Sequence, residues 1–184
     1  MVSLASREVE VEVASGVFSP GRLDPGTAVL LRSVPAAPPE DHLLDLGCGW
    51  GPIALSMALQ SPDATIWAVD ISERALDLTR RNATRLGLAN VRVCLPADVP
   101  TDVAFAAIWS NPPIRVGKAM LHDLLRTWLP RLAQSDATDA SGAWLVVAKQ
   151  LGADSLARWI TNELGLECTR AATDKGYRVL HVRR

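Results

Sequence analysis

The sequence predicts an α/β fold: a seven-stranded, mostly parallel sheet with helices on both faces and an antiparallel C-terminal hairpin. Three observations carry that prediction. Short apolar runs alternate with stretches of helical periodicity along most of the chain. The runs are apolar at nearly every position, as strands covered on both faces must be. The last two runs, Glu167–Ala172 and Tyr177–Val182, are joined by Thr173-Asp174-Lys175-Gly176, too short for a crossover helix, so they must pair antiparallel.

In chain order, residues 8–14 alternate acidic and apolar side chains and read as a strand. The Gly- and Pro-rich stretch from Gly16 to Thr27 reads as a structured loop, and Ala28–Ser33 as a short helix. The proline cluster at 35–39 separates this N-terminal strand-and-loop flap (1–39) from a Rossmann-like core (40–184) within a single domain. Core strands are expected at His42–Leu46, Thr65–Val69, Val91–Leu95, Phe105–Ser110 and Ala143–Ala148. Helices are expected at Pro52–Gln60, Glu73–Leu86, Val116–Gln134 and Asp154–Leu164. The second of these has the plainest signature: Ser72 as N-cap, Gly87 just past the end, and an apolar stripe through Ala75, Leu76, Thr79, Ala83 and Leu86.

Composition narrows the function. With 184 residues and 48% apolar side chains, the chain can bury roughly 70% of its unfolded surface and needs no disulfide or metal staple. Nineteen Lys and Arg against twenty Asp and Glu exclude a tail-driven nucleic-acid binder, which needs clustered positive charge. No apolar run is long enough to span a bilayer, and the N-terminus lacks the apolar core of a signal peptide. Cys48, Cys94 and Cys168 are an odd, widely spaced set with no CxxC pair. This argues against a disulfide framework or a zinc site and for a reducing, cytoplasmic setting. His42, His122 and His181 show no ligand spacing and read as structural, so no metal is expected. Nothing in the sequence asks for an oligomer.

The first motif lies between the first core strand and the first core helix: Asp45-Leu46-Gly47-Cys48-Gly49-Trp50-Gly51-Pro52. Open α/β sheets bind ligands at such strand ends, and glycines there let backbone approach a ligand closely. Pro52 stands where a dinucleotide fingerprint needs its third glycine, and no P-loop pattern exists. A carboxylate before the glycines suits an ammonium group rather than a pyrophosphate. Asp70, at the end of the second strand, can accept from both hydroxyls of a ribose. Asp98 follows the third strand. An amino-acid head at Asp45, a ribose at Asp70 and a base near Ile71 and Asp98, along a turn of Gly47, Gly49 and Gly51, together describe S-adenosylmethionine (SAM). The plainer alternative makes the carboxylates strand-end caps and the glycines only a turn.

The second motif is Ser110-Asn111-Pro112-Pro113 at the end of the fourth core strand. Two prolines end the strand and lock the backbone around Asn111. The Asn111 amide oxygen and the Pro112 carbonyl give two acceptors for a planar amino group. They would steer its lone pair toward a methyl donor and stabilise the developing positive charge. Asn111, Pro112 and Pro113 are therefore the candidate catalytic residues, Asn111 also bordering the cofactor.

These two motifs, with Asp70, resemble the class I SAM-dependent methyltransferases of the small-domain type, and within them the bacterial ribosomal-RNA guanine-N2 methyltransferases. The stretch Gly16-Val17-Phe18-Ser19 to Leu23-Asp24-Pro25-Gly26-Thr27 is similar to the group's N-terminal element beside the cofactor cleft. Lys175–Leu180 is similar to its C-terminal hairpin. The resemblance covers residues 8–184. It implies SAM as cofactor, contacts at Asp45, Gly47, Gly49, Asp70 and Asp98, and ribosomal RNA or a ribosomal subunit as partner. The sequence departs from the family pattern at Ile114, where an aromatic residue is usual, at Arg115 in place of histidine, and around Ala106–Ala107, which lack the usual aspartate. At 184 residues, the second domain copy that many members carry is not expected here. These departures bear on the acceptor, not on methyl transfer. Candidate acceptor contacts are Phe18 for stacking, Ile114, and Arg22 and Arg115 for phosphate. Guanine N2 in ribosomal RNA leads; a protein glutamine, a small molecule, or a SAM-binding RNA-assembly module without turnover remain open.

Overall fold

Nine strands and five α-helices appear among the residues that the computed structural model describes, which are 1–13, 23–113, 117–134 and 140–184. A two-stranded hairpin, β1 (Val2–Leu4) and β2 (Arg7–Val9), comes first, then α1 (Pro25–Ser33). The core follows as β3 (His42–Leu46), α2 (Pro52–Gln60), β4 (Thr65–Val69), α3 (Glu73–Arg85), β5 (Val91–Cys94) and β6 (Ala107–Ser110). It continues with α4 (Lys118–Trp128), β7 (Gly142–Ala148), α5 (Ala153–Leu164), β8 (Glu167–Asp174) and β9 (Tyr177–Arg183).

The seven core strands form one sheet in the order β5-β4-β3-β6-β7-β9-β8. The first five of these are mutually parallel; β9 runs antiparallel to both β7 and β8. Chain order reverses direction between β3 and β6, which makes the gap at their carboxyl ends the place where such sheets take ligands. The β8–β9 turn is Lys175-Gly176, both at positive φ, the backbone that a two-residue hairpin turn with native twist demands.

Side-chain alternation divides the core. Leu43, Ile66, Trp109, Trp144 and Val179 pack beneath α1 and α2, against Val29, Leu30, Ile53 and Met57. Leu44, Val69, Ile108, Leu145 and Leu180 face the other way, onto Leu121 and Leu125 of α4 and Leu156 and Ile160 of α5. Each such fully buried aliphatic side chain contributes about 1.5–3 kcal/mol. The link from β5 to β6 is a single 3-10 turn (Pro96–Asp98) and irregular chain, so Trp67, Val99 and Phe105 cover that part of the sheet. Register places Asp45, Trp109, Trp144 and His181 in one row across β3, β6, β7 and β9, with the Trp144 and His181 rings stacked 3.9 Å apart.

Three expectations need correction. The strand expected over 8–14 is instead the second arm of a hairpin ending at Val9. Its turn, Ala5-Ser6, sits at positive φ without the Gly or Asn that usually marks it. The expected helix 116–134 is α4 followed by a 3-10 turn at Leu129–Arg131, where Pro130 has no N–H to continue it. The strand expected from Phe105 begins at Ala107; Phe105 makes only an isolated bridge to Leu132.

Candidate active site

The carboxyl ends of β3, β4, β6 and β7, the start of α1 and the start of β9 frame a cavity of about 700 Å³. That volume is within the usual range for small-molecule sites. Its walls form two halves that meet at Asn111.

The first half is the glycine turn. The N–H groups of Gly47 and Cys48 both donate to the Val69 carbonyl, at 2.8 and 3.0 Å, fastening the ends of β3 and β4 together. Gly47 and Gly49 hold φ of +82° and +60°, and a Cβ on either would meet no protein atom within 4 Å. Only glycine adopts that backbone cheaply, and its missing side chain leaves the turn bare toward the cavity. Asp70 accepts from Gly49 N (3.0 Å) with one oxygen and from Ser72 N (2.9 Å) with the other. Each oxygen keeps a further lone pair, which is what two ribose hydroxyls need. Ile71, 80% exposed beside it, offers an apolar surface to a flat base. The bare cradle, the acceptor pair and the apolar ledge fit a nucleoside carrying an amino-acid tail.

Three residues assigned to the cofactor lie outside the cavity lining. Asp45 is fully buried and does not line the cavity. Its Oδ2 accepts from Ala54 N at 2.8 Å, holding the first turn of α2, and its Oδ1 has no partner among the described residues. Burial pushes its carboxyl up to about 8, the Asp70 charge adds to the rise, and the Ala54 N–H opposes it. Asp45 lies on the same face of β3 as Leu43 and so points under α2, outside the cavity lining. Gly51 is a packing glycine: at φ +94°, its Cβ would lie 2.9 Å from Thr79 Cγ2. Asp98 is exposed on the 3-10 turn after β5, and Pro96 of that turn lines the cavity instead.

The second half surrounds Asn-Pro-Pro. Ser110 Oγ donates to the Leu46 carbonyl at 2.6 Å, tying the ends of β6 and β3 across the switch point. Asn111 then turns into the cavity wall with its Nδ2 donating to Asp24 Oδ2 (2.7 Å) and Thr27 Oγ1 (3.1 Å). A carboxylate only accepts, so the nitrogen of the amide must face Asp24 and the oxygen is left over. Met120, Leu124, Gln150, Leu151 and Tyr177 complete this half. Met120 and Leu151 are large apolar side chains left 58% and 45% exposed at its rim.

Sequence reasoning named the segments holding Asp24, Thr27 and Tyr177 but gave none of these residues a role. Asp24-Pro25 carried the available signal, an N-cap followed by proline at the first helical position. Met120, Gln150 and Leu151 had no sequence signal. Phe18, Arg22, Ile114 and Arg115 lie outside the described residues. None of the three histidines lines the cavity. Arg178 is buried and paired with Asp154. Arg81 and Arg85 pair with Glu12, joining α3 to the N-terminal segment. Among the described residues, no cluster of His, Cys, Asp or Glu could hold a metal, and no helix is long and apolar enough to cross a membrane.

The chain is 36% identical over 174 residues to the uncharacterized protein YbxB of Bacillus subtilis, covering 92% of this chain and 83% of that one. It is 31% identical over 183 residues to Ribosomal RNA small subunit methyltransferase C of Ectopseudomonas mendocina, covering all of this chain and 54% of that protein. A Thermus thermophilus 16S rRNA guanine-N2 methyltransferase, solved with AdoMet and guanosine, superposes with a TM-score of 0.81 at 20% identity, over this whole chain and 49% of that one. The chain thus spans about half the length of the ribosomal-RNA methyltransferases it matches. The profile of the methyltransferase small domain matches residues 8–181, and the chain belongs to that family of methyltransferases.

Proposed function

We propose that the chain transfers a methyl group from SAM to the exocyclic amino nitrogen N2 of guanine in ribosomal RNA, in the cytoplasm. The observation that carries the reading is the fixed Asn111 amide. With both N–H groups committed to Asp24 and Thr27, only Oδ1 remains to receive an N–H from the acceptor. The names of the relatives support RNA as the acceptor's carrier.

SAM supplies, when bound, a methyl group on a sulfonium centre open to attack by a nitrogen lone pair. Gly47 and Gly49 would hold its amino-acid side and Asp70 its ribose. Asn111 Oδ1, with the Pro112 carbonyl beside it in the chain, would hold the acceptor's N–H groups. The nitrogen's lone pair then points along the one direction left, and the charge growing on the nitrogen meets two oxygen dipoles already in place. Such orientation needs no general base before transfer, because the methylated nitrogen releases its extra proton to water afterwards.

The test is Asn111→Ala. It should reduce methyl transfer to ribosomal subunits or naked ribosomal RNA by at least a hundredfold, while SAM affinity by calorimetry stays within about threefold. An active Asn111→Ala enzyme would remove the amide from the chemistry.

A further inference from the structure

We propose that Asp24 and Thr27, at the start of α1, are positioning residues that hold the Asn111 amide in the one orientation able to receive an amino group. This rests on the reading of Asn111 given above and extends it to residues 84 and 87 positions away in the chain.

The construction is specific. Asp24 caps α1: its Oδ2 accepts from Thr27 N at 3.1 Å, and its backbone carbonyl accepts from Ala28 N at 2.8 Å. The same Oδ2 accepts from Asn111 Nδ2, so one carboxylate oxygen fixes both the helix start and the catalytic amide. Thr27, only 4% exposed, takes the second N–H of the amide on its hydroxyl. Gly26 makes the close approach possible. A Cβ there would lie 3.0 Å from Asp24 Oδ2, 3.0 Å from Tyr177 Cε1 and 3.3 Å from Asn111 Nδ2, so a larger residue would crowd the three groups that meet at the amide.

Rotating the amide by 180° would set Oδ1 against the Asp24 carboxylate, acceptor against acceptor, and sacrifice a charge-assisted hydrogen bond. The amide is therefore locked rather than merely biased. The lock also polarises it: a carboxylate pulling on the N–H side leaves more negative charge on Oδ1, where the acceptor's nitrogen becomes cationic. Without Asp24 and Thr27 the amide would be free to turn its N–H groups toward the acceptor and repel the amine's own hydrogens.

The experiment compares Thr27→Val, Thr27→Ser, Asp24→Asn and Asp24→Ala in the full chain, with two readouts. The first is kcat and KM for methyl transfer to ribosomal RNA, alongside SAM affinity. Thr27→Val should lower kcat about tenfold and Asp24→Ala about a hundredfold, with SAM affinity within threefold of wild type. Thr27→Ser should recover kcat to within threefold, and Asp24→Asn, which keeps the cap and an acceptor oxygen, should fall between wild type and Asp24→Ala. The second readout needs no turnover. The Asn111 side-chain amide signal in a nitrogen–proton NMR spectrum, assigned by its loss in Asn111→Ala, should exchange with water at least tenfold more slowly in wild type than in Asp24→Ala.

Unchanged kcat in both Thr27→Val and Asp24→Ala would overturn the proposal while leaving Asn111's catalytic role standing. Equal exchange rates in wild type and Asp24→Ala would overturn it as well. If wild type transfers no methyl to RNA, the assignment of the acceptor fails on its own, and the exchange measurement still decides whether the lock exists.

Discussion

Gly47→Ala and Gly87→Ala form a matched pair that isolates the role of the glycine turn. Both glycines hold positive φ, +82° and +67°, and at both an added Cβ would meet no protein atom within 4 Å. Forcing alanine into that backbone costs about 1 kcal/mol at either site. For a domain of this length that lowers Tm by about 2–4 °C. The two sites differ in what lies outside: Gly47 lines the cavity, whereas Gly87 closes the end of α3 away from it. If the cofactor lies against the bare turn, the Gly47 methyl occupies its space and SAM affinity falls at least tenfold, about 1.4 kcal/mol. At SAM near 100 times the wild-type Kd, the ligand then adds about 2.7 kcal/mol to wild type and to Gly87→Ala, but only about 1.4 kcal/mol to Gly47→Ala. Calorimetric titration and melts with and without SAM read both quantities. Equal SAM affinity in the two variants, at equal loss of stability, would refute the placement of the cofactor on this turn.

Two further substitutions test separate carboxylates. Asp70→Ala should weaken SAM binding by about tenfold or more in calorimetry, since it removes the acceptor pair and the hold on Gly49 N, and should recover most of its turnover at saturating SAM; full affinity would contradict the ribose role. Asp45→Asn tests the buried acid. Because the folded carboxyl sits near 8 and the unfolded one in the ordinary range near 4, the folded chain holds a proton the unfolded chain has lost between those values. Wild-type stability therefore falls as pH rises through that window, by up to about 1.4 kcal/mol per pH unit from this group, and Asp45→Asn lacks that slope. Urea unfolding at pH 5 and pH 7 should show the variant gaining on wild type; parallel curves would mean the acid is not held neutral.

Much of the fold was legible in the sequence because its strands and helices are locally consistent. β3, β4 and α2 have the bounds that their apolar runs indicate, since a parallel strand buried on both faces has few polar positions to blur its ends. α3 starts at the Ser72 cap and stops before Gly87 as its periodicity requires. The β1–β2 hairpin was hidden because Ala5-Ser6 carries no turn signature. At the site, Gly47, Gly49, Asp70 and Asn111, the residues that local chemistry singles out, line the cavity. Asp45 misled because its type suggested an ammonium partner, while its position on the strand, two residues from Leu43, already set it beneath α2. The Asp24–Thr27–Asn111 contact and the approach of Tyr177 to Gly26 join a helix start, the end of β6 and the start of β9. Such contacts depend on the sheet order, and no spacing along the chain encodes them.

The most direct test of the central claim is transfer of an isotopically labelled methyl group from SAM to ribosomal subunits and to naked ribosomal RNA, followed by digestion to nucleosides and mass spectrometry. The proposed function predicts label in N2-methylguanosine from ribosomal RNA, reduced at least a hundredfold with Asn111→Ala. Label confined to a protein glutamine or a small molecule, or to a carbon or ribose oxygen of RNA, would contradict it.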